Sequence, residues 1–489
     1  MANDDDNPTM KGETEFRSYP EIVWRQFKKY DFAYASLFVL GFLLFVALVS
    51  PILALDVPFY LYVPADVDAD QLRGIVPGSI PMERIRGLSF PWFRELFNTL
   101  YFDNGIDLFF NFLLFSMPLN VVAWLIFRSQ HEADSKRHFK TVRSLFIAAS
   151  MGIQTVLFFT IFYINFSLQG SVIFLVVMAG LTAGAWLWFA NDKDFASEEQ
   201  YEAYRRIFLL FAVLFHVAAI VGLAVPDLGR ASFSYMELSD VEGVQAWFPP
   251  LEYAYWGTTM DTHLEMSAAH WLGTDGQGRD VLTRLLYGTR ISLTIGLVAQ
   301  GLATGIGLVM GSIAGYYGGK VDMVILRIIE VFYTFPALFV IMTLTGFIDQ
   351  PSIFYVMFII AIVAWTRVAR LVRGEFLRLR NEDFVQAAQA LGLPRGRIIF
   401  RHILPNALGP VLVYIVFGIA GAILFEAIVS FLGVGDMTVP SWGQILRAGD
   451  QSRRLVLILA PGVALFITVT CMYLVGEGVQ DAMDPKLRE

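Results

Sequence analysis

The chain reads as an all-α, polytopic membrane protein with about ten transmembrane helices. Three observations predict this. Of 489 residues, 56% are hydrophobic and only 16% charged, and the mean hydropathy is +0.56. Uncharged apolar runs recur at about the 20 residues that a helix needs to cross the bilayer core. The basic residues between those runs collect in loops that fall on one side of a membrane.

The expected spans lie at roughly 32–54, 105–127, 144–166, 171–190, 207–226, 289–314, 321–347, 353–373, 406–432 and 456–477. An even count puts both termini on one side. Arg25, Lys28 and Lys29 precede the first span. Arg128, Lys136, Arg137, Lys140 and Arg143 fill a short loop, Lys193, Arg205 and Arg206 follow the fourth span, and Arg378, Arg380, Arg395, Arg397 and Arg401 lie near 375–406. All fall on the cytoplasmic side if both termini are cytoplasmic. The acid-rich loops 57–104 and 227–288 are then external. Arg447, Arg453 and Arg454 form the one loop that disagrees. The first apolar run is longer than a signal-peptide core and lacks a small-residue cleavage site, so a retained span is expected there.

The longest polar interruption of the C-terminal half, 375–406, predicts two short helices and a turn. Asn381 is placed to cap the first helix, with Glu382 and Asp383 in its first turn, where the dipole favours acids. Phe384, Ala387, Ala388 and Leu391 recur at helical spacing as one small apolar face. Gly392 supplies a left-handed stop, and Pro394 opens the second helix. Ile398, Ile399 and Ile403 face one way and Arg395, Arg397 and Arg401 face water; Pro405 ends the segment. A second stretch, 270–288, reads as a glycine turn followed by an amphipathic helix that Asp280 caps. Its acids do not alternate as an EF-hand loop requires.

Several chemistries are excluded. The net charge is -8, so no basic surface argues for nucleic acid. The single cysteine, Cys471, permits neither a disulfide framework nor a cysteine-based metal site within one chain. No G-x-x-x-x-G-K-[ST] is present: the nearest approach, Gly315 to Lys320, has Ala314 and Val321 at its ends. This chain therefore does not itself hydrolyse ATP. Without H-E-x-x-H or G-x-S-x-G it has no residues for metalloprotease or acyl-transfer chemistry. No cofactor and no catalytic group is expected.

The 375–406 segment resembles the cytoplasmic coupling loop of ATP-binding-cassette (ABC) importer permeases: Gln386-Ala387-Ala388, then Gly392, then His402-Ile403-Leu404-Pro405. Gln386 stands where Glu is usual and His402 where Ile is usual. The stretch His270-Trp271-Leu272-Gly273-Thr274-Asp275, with Gly278-Arg279-Asp280, resembles the segment before the membrane core in the second, C-type permease of dipeptide and oligopeptide importers. The likeness continues through Gly315-Tyr316-Tyr317-Gly318-Gly319-Lys320-Val321-Asp322, Phe335-Pro336, Ser430-Phe431-Leu432-Gly433 and Asp481-Ala482-Met483-Asp484-Pro485. Trp24-Arg25-Gln26-Phe27 and Ser50-Pro51 fit around the first span.

The resemblance implies a type I ABC importer permease core at 289–489 in the bacterial cytoplasmic membrane. It implies ABC ATPase subunits, a second homologous permease and an extracytoplasmic substrate-binding protein as partners, besides membrane lipid and no nucleic acid. Gln386, Ala387, Ala388, Gly392, Arg395 and Pro405 become the ATPase-coupling residues, and Gly273, Thr274, Asp275, Gly278, Arg279 and Asp280 an external motif. The function implied is import of peptides or similar small solutes by alternating access. An ion-gradient-driven secondary transporter is the alternative, and would want matching halves and midplane charges.

Other features keep two readings each. Gly307, Gly311 and Gly315 form a small-residue seam, either a gate or subunit contact or packing inside one bundle. Glu426, the deepest charge, faces either the translocation path or a structural partner. Arg327 and Glu330 are placed to pair, and Arg367, Arg370 and Arg373 to snorkel. His216 reads as a packing residue. The domain order expected is 1–56 with the first helix, an external loop 57–104, an inserted four-helix segment 105–226, an external loop with its amphipathic helix 227–288, and the core. The insert has no counterpart in the resemblance. Its aromatic and aliphatic composition reads as a lipid-facing belt, removable without loss of assembly, or else as an accessory-subunit site.

Overall fold

A computed structural model describes residues 19–76, 86–96, 101–102, 104–111, 113–114, 117, 234–348 and 352–483. Most of the expected span 105–127, the spans 144–166, 171–190 and 207–226, their basic loops, His216 and the Asp484-Pro485 ending lie outside these residues.

The other six expected spans fall on helices. Five are long and apolar enough to cross a membrane: Asp31–Leu53, Val281–Tyr317, Ile353–Leu379, Arg395–Phe431 and Leu455–Met483. The expected single span 321–347 is instead two helices, Gly319–Thr334 and Ala337–Gly346, bent by 83°. The cause is Pro336. It has no N–H to donate and forces the residue before it out of the helical region, and Phe335 sits at φ −104°, ψ 138°.

The chain divides into two compact units. The first holds Met1–Leu43, Ile295–Asp436 and Gly462–Glu489. Its centre is a close contact between the Val281–Tyr317 and Ile353–Leu379 helices. A Cβ at Gly307 would lie 2.5 Å from Val368 Cβ, one at Gly311 2.5 Å from the Ala369 carbonyl, and one at Gly315 2.5 Å from Phe376 Cβ. The seam thus packs inside this bundle, and absent side chains permit that approach. The N-terminal helix Tyr19–Phe27 lays Phe27 against Val475 and Ala482 of the Leu455–Met483 helix.

Three arginines of the Ile353–Leu379 helix, Arg367, Arg370 and Arg373, lie beside groups of neighbouring helices. Arg373 pairs with Asp322, its second nitrogen donating at 2.6 Å. Arg370 lies over the Tyr333 ring at 4.4 Å, and Arg367 lies near Tyr414. Arg367 and Arg370 stay exposed, and Arg373 is partly buried in its pair. Arg327 and Glu330 pair at 2.6 Å as expected, on an exposed face.

The second unit holds Leu44–Thr294 and Met437–Pro461. It adds a small sheet to the helical expectation. Strand β1 (Tyr60–Val63) pairs antiparallel with β2 (Gly87–Ser89) and with β3 (Gln245–Trp247), in the order β2-β1-β3. Leu61 is opposite both Ser89 and Ala246. The described parts of 57–104 and 227–288 therefore share one sheet and one core, built on Leu55, Leu61, Leu72, Leu96, Phe102, Tyr255 and Tyr287.

Residues at the start of the 105–226 segment also belong to this core. Arg290 is fully buried. It donates to Asp107 Oδ1 at 3.0 Å, Asn111 Oδ1 at 2.9 Å and the Ala47 carbonyl at 2.6 Å. A belt wholly separate from the core does not begin at residue 105.

Candidate functional site

The 375–406 segment is built as follows. The N-cap of its first helix, Asp383–Ala390, is Glu382, one residue after the expected Asn381, and makes no side-chain bond. The Asn381 carbonyl instead accepts from the Gln386 amide at 2.9 Å. Gly392 then takes φ +74°. Its N–H donates to the Gln389 carbonyl at 2.9 Å and the Leu393 N–H to the Ala388 carbonyl at 3.2 Å. These two bonds are the pair that closes a helix through a left-handed glycine.

The apolar face differs from the expected one. Val385 and Ala388 are buried, in one cluster with Val372, Phe376, Ile399 and Ile403. Phe384 (40% exposed) and Leu391 (80% exposed) look outward, with Ala387 between them. Positions 384, 387 and 391 make one stripe of the helix and 385 and 388 the neighbouring one. The smaller stripe is the rooted one. Ile398, Ile399 and Ile403 are buried while Arg395, Arg397 and Arg401 are exposed, as the sequence predicts. Arg395 lies 5.8 Å from the Tyr317 ring centroid.

Pro405 does not end the segment. A π-helical turn, Ile398–Ile403, runs directly into the helix Leu404–Phe431, and the Leu404 N–H bonds the Ile399 carbonyl. Pro405 falls in the first turn of that helix, and the wider turn before it absorbs the missing donor. The segment is thus continuous with the span that follows it.

Glu426 is fully buried in the Leu404–Phe431 helix, and its Oε1 accepts from Ser430 Oγ at 2.7 Å. Asp436, just past Ser430-Phe431-Leu432-Gly433, accepts from the Ile353 N–H at 3.0 Å and so caps the Ile353–Leu379 helix. Sequence reasoning passed over Asp436. An acid shortly after a glycine stop was the available signal.

Gly273, Thr274, Asp275, Gly278, Arg279 and Asp280 of the 270–280 turn form a compact knot in the second unit. Gly273 and Gly278 have φ +76° and +74°, and a Cβ on either would strike a carbonyl, of Leu264 or Thr259, at 2.4 or 2.2 Å. Thr274 Oγ1 accepts from the Leu264 N–H at 2.8 Å. Asp275 accepts from the N–H groups of Gln277 and Arg279 and from Arg279 Nε at 2.8, 3.0 and 2.8 Å. Burial alone would raise the Asp275 carboxyl, but the Arg279 guanidinium outweighs it and holds it below the ordinary carboxylate value. Asp280 caps the following helix through the Thr283 N–H at 2.7 Å, and meets His270 Nδ1 at 2.9 Å.

Apolar spans interrupted by a rooted helix–turn–helix, continuous with the next span, define a polytopic transport permease. The chain belongs to the family of binding-protein-dependent transport system inner membrane components: residues 307–489 match that family, and residues 18–73 match the N-terminal TM domain of oligopeptide transport permease C. It is 40% identical to the oligopeptide transport system permease protein OppC of Haemophilus influenzae over 50% of this chain and 80% of that protein. It is also 40% identical to the dipeptide transport system permease protein DppC of Alkalihalophilus pseudofirmus, over 45% of this chain and 74% of that one. For OppC of Escherichia coli K12 the identity is 40%, over 47% and 76%.

Proposed function

We propose that the chain is the C-type permease subunit of an ATP-driven importer that moves di- or oligopeptides, or similar small solutes, across the bacterial cytoplasmic membrane. It works beside a second, homologous permease. Separate ATPase subunits dock on the 381–397 helix–turn–helix. A substrate-binding protein delivers solute on the opposite face, and both termini are cytoplasmic. The peptide class follows from the relatives named OppC and DppC.

One observation carries the reading. The helix Asp383–Ala390 has an apolar stripe exposed at Phe384 and Ala387, extended by Leu391, and a second stripe, Val385 and Ala388, rooted among residues of the Ile353–Leu379 and Leu404–Phe431 helices. An exposed apolar stripe on a soluble-facing helix costs stability unless a partner covers it. A rooted helix passes a push on its outer stripe to both anchoring helices, because packed interiors deform little. Closure of the ATPase dimer then tilts the bundle toward its outward-open form, and hydrolysis resets it. Gly307 and Gly311 make the Val281–Tyr317 and Ile353–Leu379 helices one moving body. Glu426 serves as a buried polar anchor beside Ser430.

The test is Leu391→Asp, at an exposed position that folding does not use. Co-purification of ATPase and ATP-driven dipeptide uptake are each expected to fall by about tenfold or more, with membrane insertion unchanged. Uptake that needs no ATP and follows an ion gradient would overturn the proposal.

A further inference from the structure

The second unit contains a cleft of about 410 Å3. The 270–280 turn forms one wall, with Asp275, Gln277 and Arg279. Arg284 lines it from the start of the Val281–Tyr317 helix, and Gln444, Arg447 and Gln451 from the helix Trp442–Ser452. Three guanidinium groups thus meet a single lining carboxylate, and the cleft is net positive.

That carboxylate has little left to give. Asp275 already receives two backbone N–H groups and Arg279, and Arg284 Nε stands 3.8 Å away. Arg284 is further held by Gln444 Oε1 at 3.1 Å. Two other lining groups have no such partner. Arg447 Nη1 and His263 Nδ1 are both buried from solvent without a hydrogen bond among the described residues. A buried guanidinium nitrogen without an acceptor is costly, and an oxyanion is what relieves it. Arg447 also belongs to the one basic loop that departs from the positive-inside pattern, so its charge calls for a local reason.

We propose that this cleft is an oxyanion site that holds the carboxylate of a small organic solute, with Arg447 and His263 as its direct ligands and Arg279 and Arg284 supplying the field. The planar fork of Arg447 suits a two-oxygen group. The cleft has the volume of a small-molecule site, and Met437 and Ala448 offer an apolar wall to the body that carries the carboxylate.

The test uses the full chain in lipid nanodiscs and calorimetric titration at fixed ionic strength. N-acetylalanine is the probe, and its uncharged amide, N-acetylalaninamide, is the control. The acid is expected to bind at least about tenfold more tightly than the amide, about 1.4 kcal/mol. Arg447→Gln and, independently, Gln451→Glu should each weaken the acid by about tenfold or more. Gln451 is exposed, so the second variant adds a repelling charge without touching the core. Unchanged unfolding midpoints show that both variants fold. Equal binding of acid and amide, or undiminished binding of the acid by Gln451→Glu, overturns the site. Binding of inorganic phosphate that N-acetylalanine does not displace overturns the carboxylate assignment in favour of a phosphate ligand.

Discussion

The Arg290 guanidinium donates to Asp107 Oδ1 at 3.0 Å, and neither side chain reaches solvent. Its other nitrogens bond the carbonyls of Ala47 and Leu48 at 2.6 and 3.3 Å, and the rings of Phe110 and Tyr287 flank it at 5.3 and 5.0 Å. Asn104 Nδ2 holds the second Asp107 oxygen at 2.6 Å. Removing one member of a buried pair leaves an uncompensated charge, at a cost of about 3–5 kcal/mol. Asp107→Leu should therefore lower the unfolding midpoint of the purified chain sharply. The double variant Asp107→Leu, Arg290→Met should recover most of the loss. Deletion of 105–226 should destabilise likewise, whereas deletion of 118–226 keeps Asp107 and Asn111 in place. Equal behaviour of the two deletions would show that the pair does not tie this segment to the core.

Asp56 makes the second unit sensitive to pH. Burial pushes its carboxyl up to about 7 from an ordinary 3.8, and the nearby Glu95 adds to the rise. Tyr101 donates its hydroxyl to the same group. Between those two values the folded chain binds the proton more tightly than the unfolded chain. The resulting stability is full below about 4 and is lost as pH rises through about 7. Asp56→Asn should remove this slope. At pH 8 the variant should unfold at a higher temperature than the parent, and at pH 4 the two should be close. Thermal unfolding across that range measures it, and parallel curves would rule it out.

Helices and the local Arg327–Glu330 pair were legible in the sequence, and long-range pairings were not. Uncharged runs located the spans because a bilayer leaves few other sequences possible. Phe335-Pro336 was visible as a motif, yet the run of apolar residues on both sides concealed the bend. On the Asp383–Ala390 helix, spacing groups Phe384, Ala387, Ala388 and Leu391 as one face, but does not say that Ala388 turns inward while the other three stay exposed. The cluster that holds Phe376 and Ile399 takes in the small Val385 and Ala388 and leaves the larger Phe384 and Leu391 exposed. The strands β1, β2 and β3 have only three or four residues each, too few for an alternation to register. Sequence reasoning passed over Arg290, although a charge at the mouth of an apolar run needs a partner. Its partner is 183 residues away, beyond any local pattern.

The glycine seam separates close packing from open surface. A Cβ at Gly311 would come within 2.8 Å of Val372 Cβ besides the Ala369 carbonyl, while Gly301, on the same helix, has nothing within 4 Å among the described residues. Gly311→Ala should force the two helices apart at about 1–3 kcal/mol, and Gly301→Ala should cost nothing measurable. Unfolding midpoints of the two variants in the same detergent test the contrast. Equal midpoints would mean the seam can open freely.

At Gly392 the expected defect is in coupling rather than in folding. Its φ of +74° is strained for a side chain, though no atom within 4 Å obstructs a Cβ. Gly392→Val therefore carries only a backbone cost of about 1–2 kcal/mol, larger for a branched residue than for Asn. Under the proposed function the variant should insert and bind ATPase but lose uptake by about tenfold or more. Gly392→Asn should retain most of it. Normal uptake with Val would show that the turn need not be rigid.

The last prediction concerns orientation. Under the proposed function residue 389 faces the cytoplasm and residue 242 the outside. Both Gln389 and Glu242 are exposed, so a cysteine at either site is chemically accessible from its own side. The native Cys471 is buried and contributes little background. In intact cells an impermeant maleimide should label Glu242→Cys and spare Gln389→Cys. After permeabilisation both should react, which separates protection by the membrane from protection by the fold. If Gln389→Cys is labelled in intact cells and Glu242→Cys is not, the helix–turn–helix lies outside. An ATPase in the cytoplasm could not then reach Phe384 and Leu391, and the lever would have nothing to drive it.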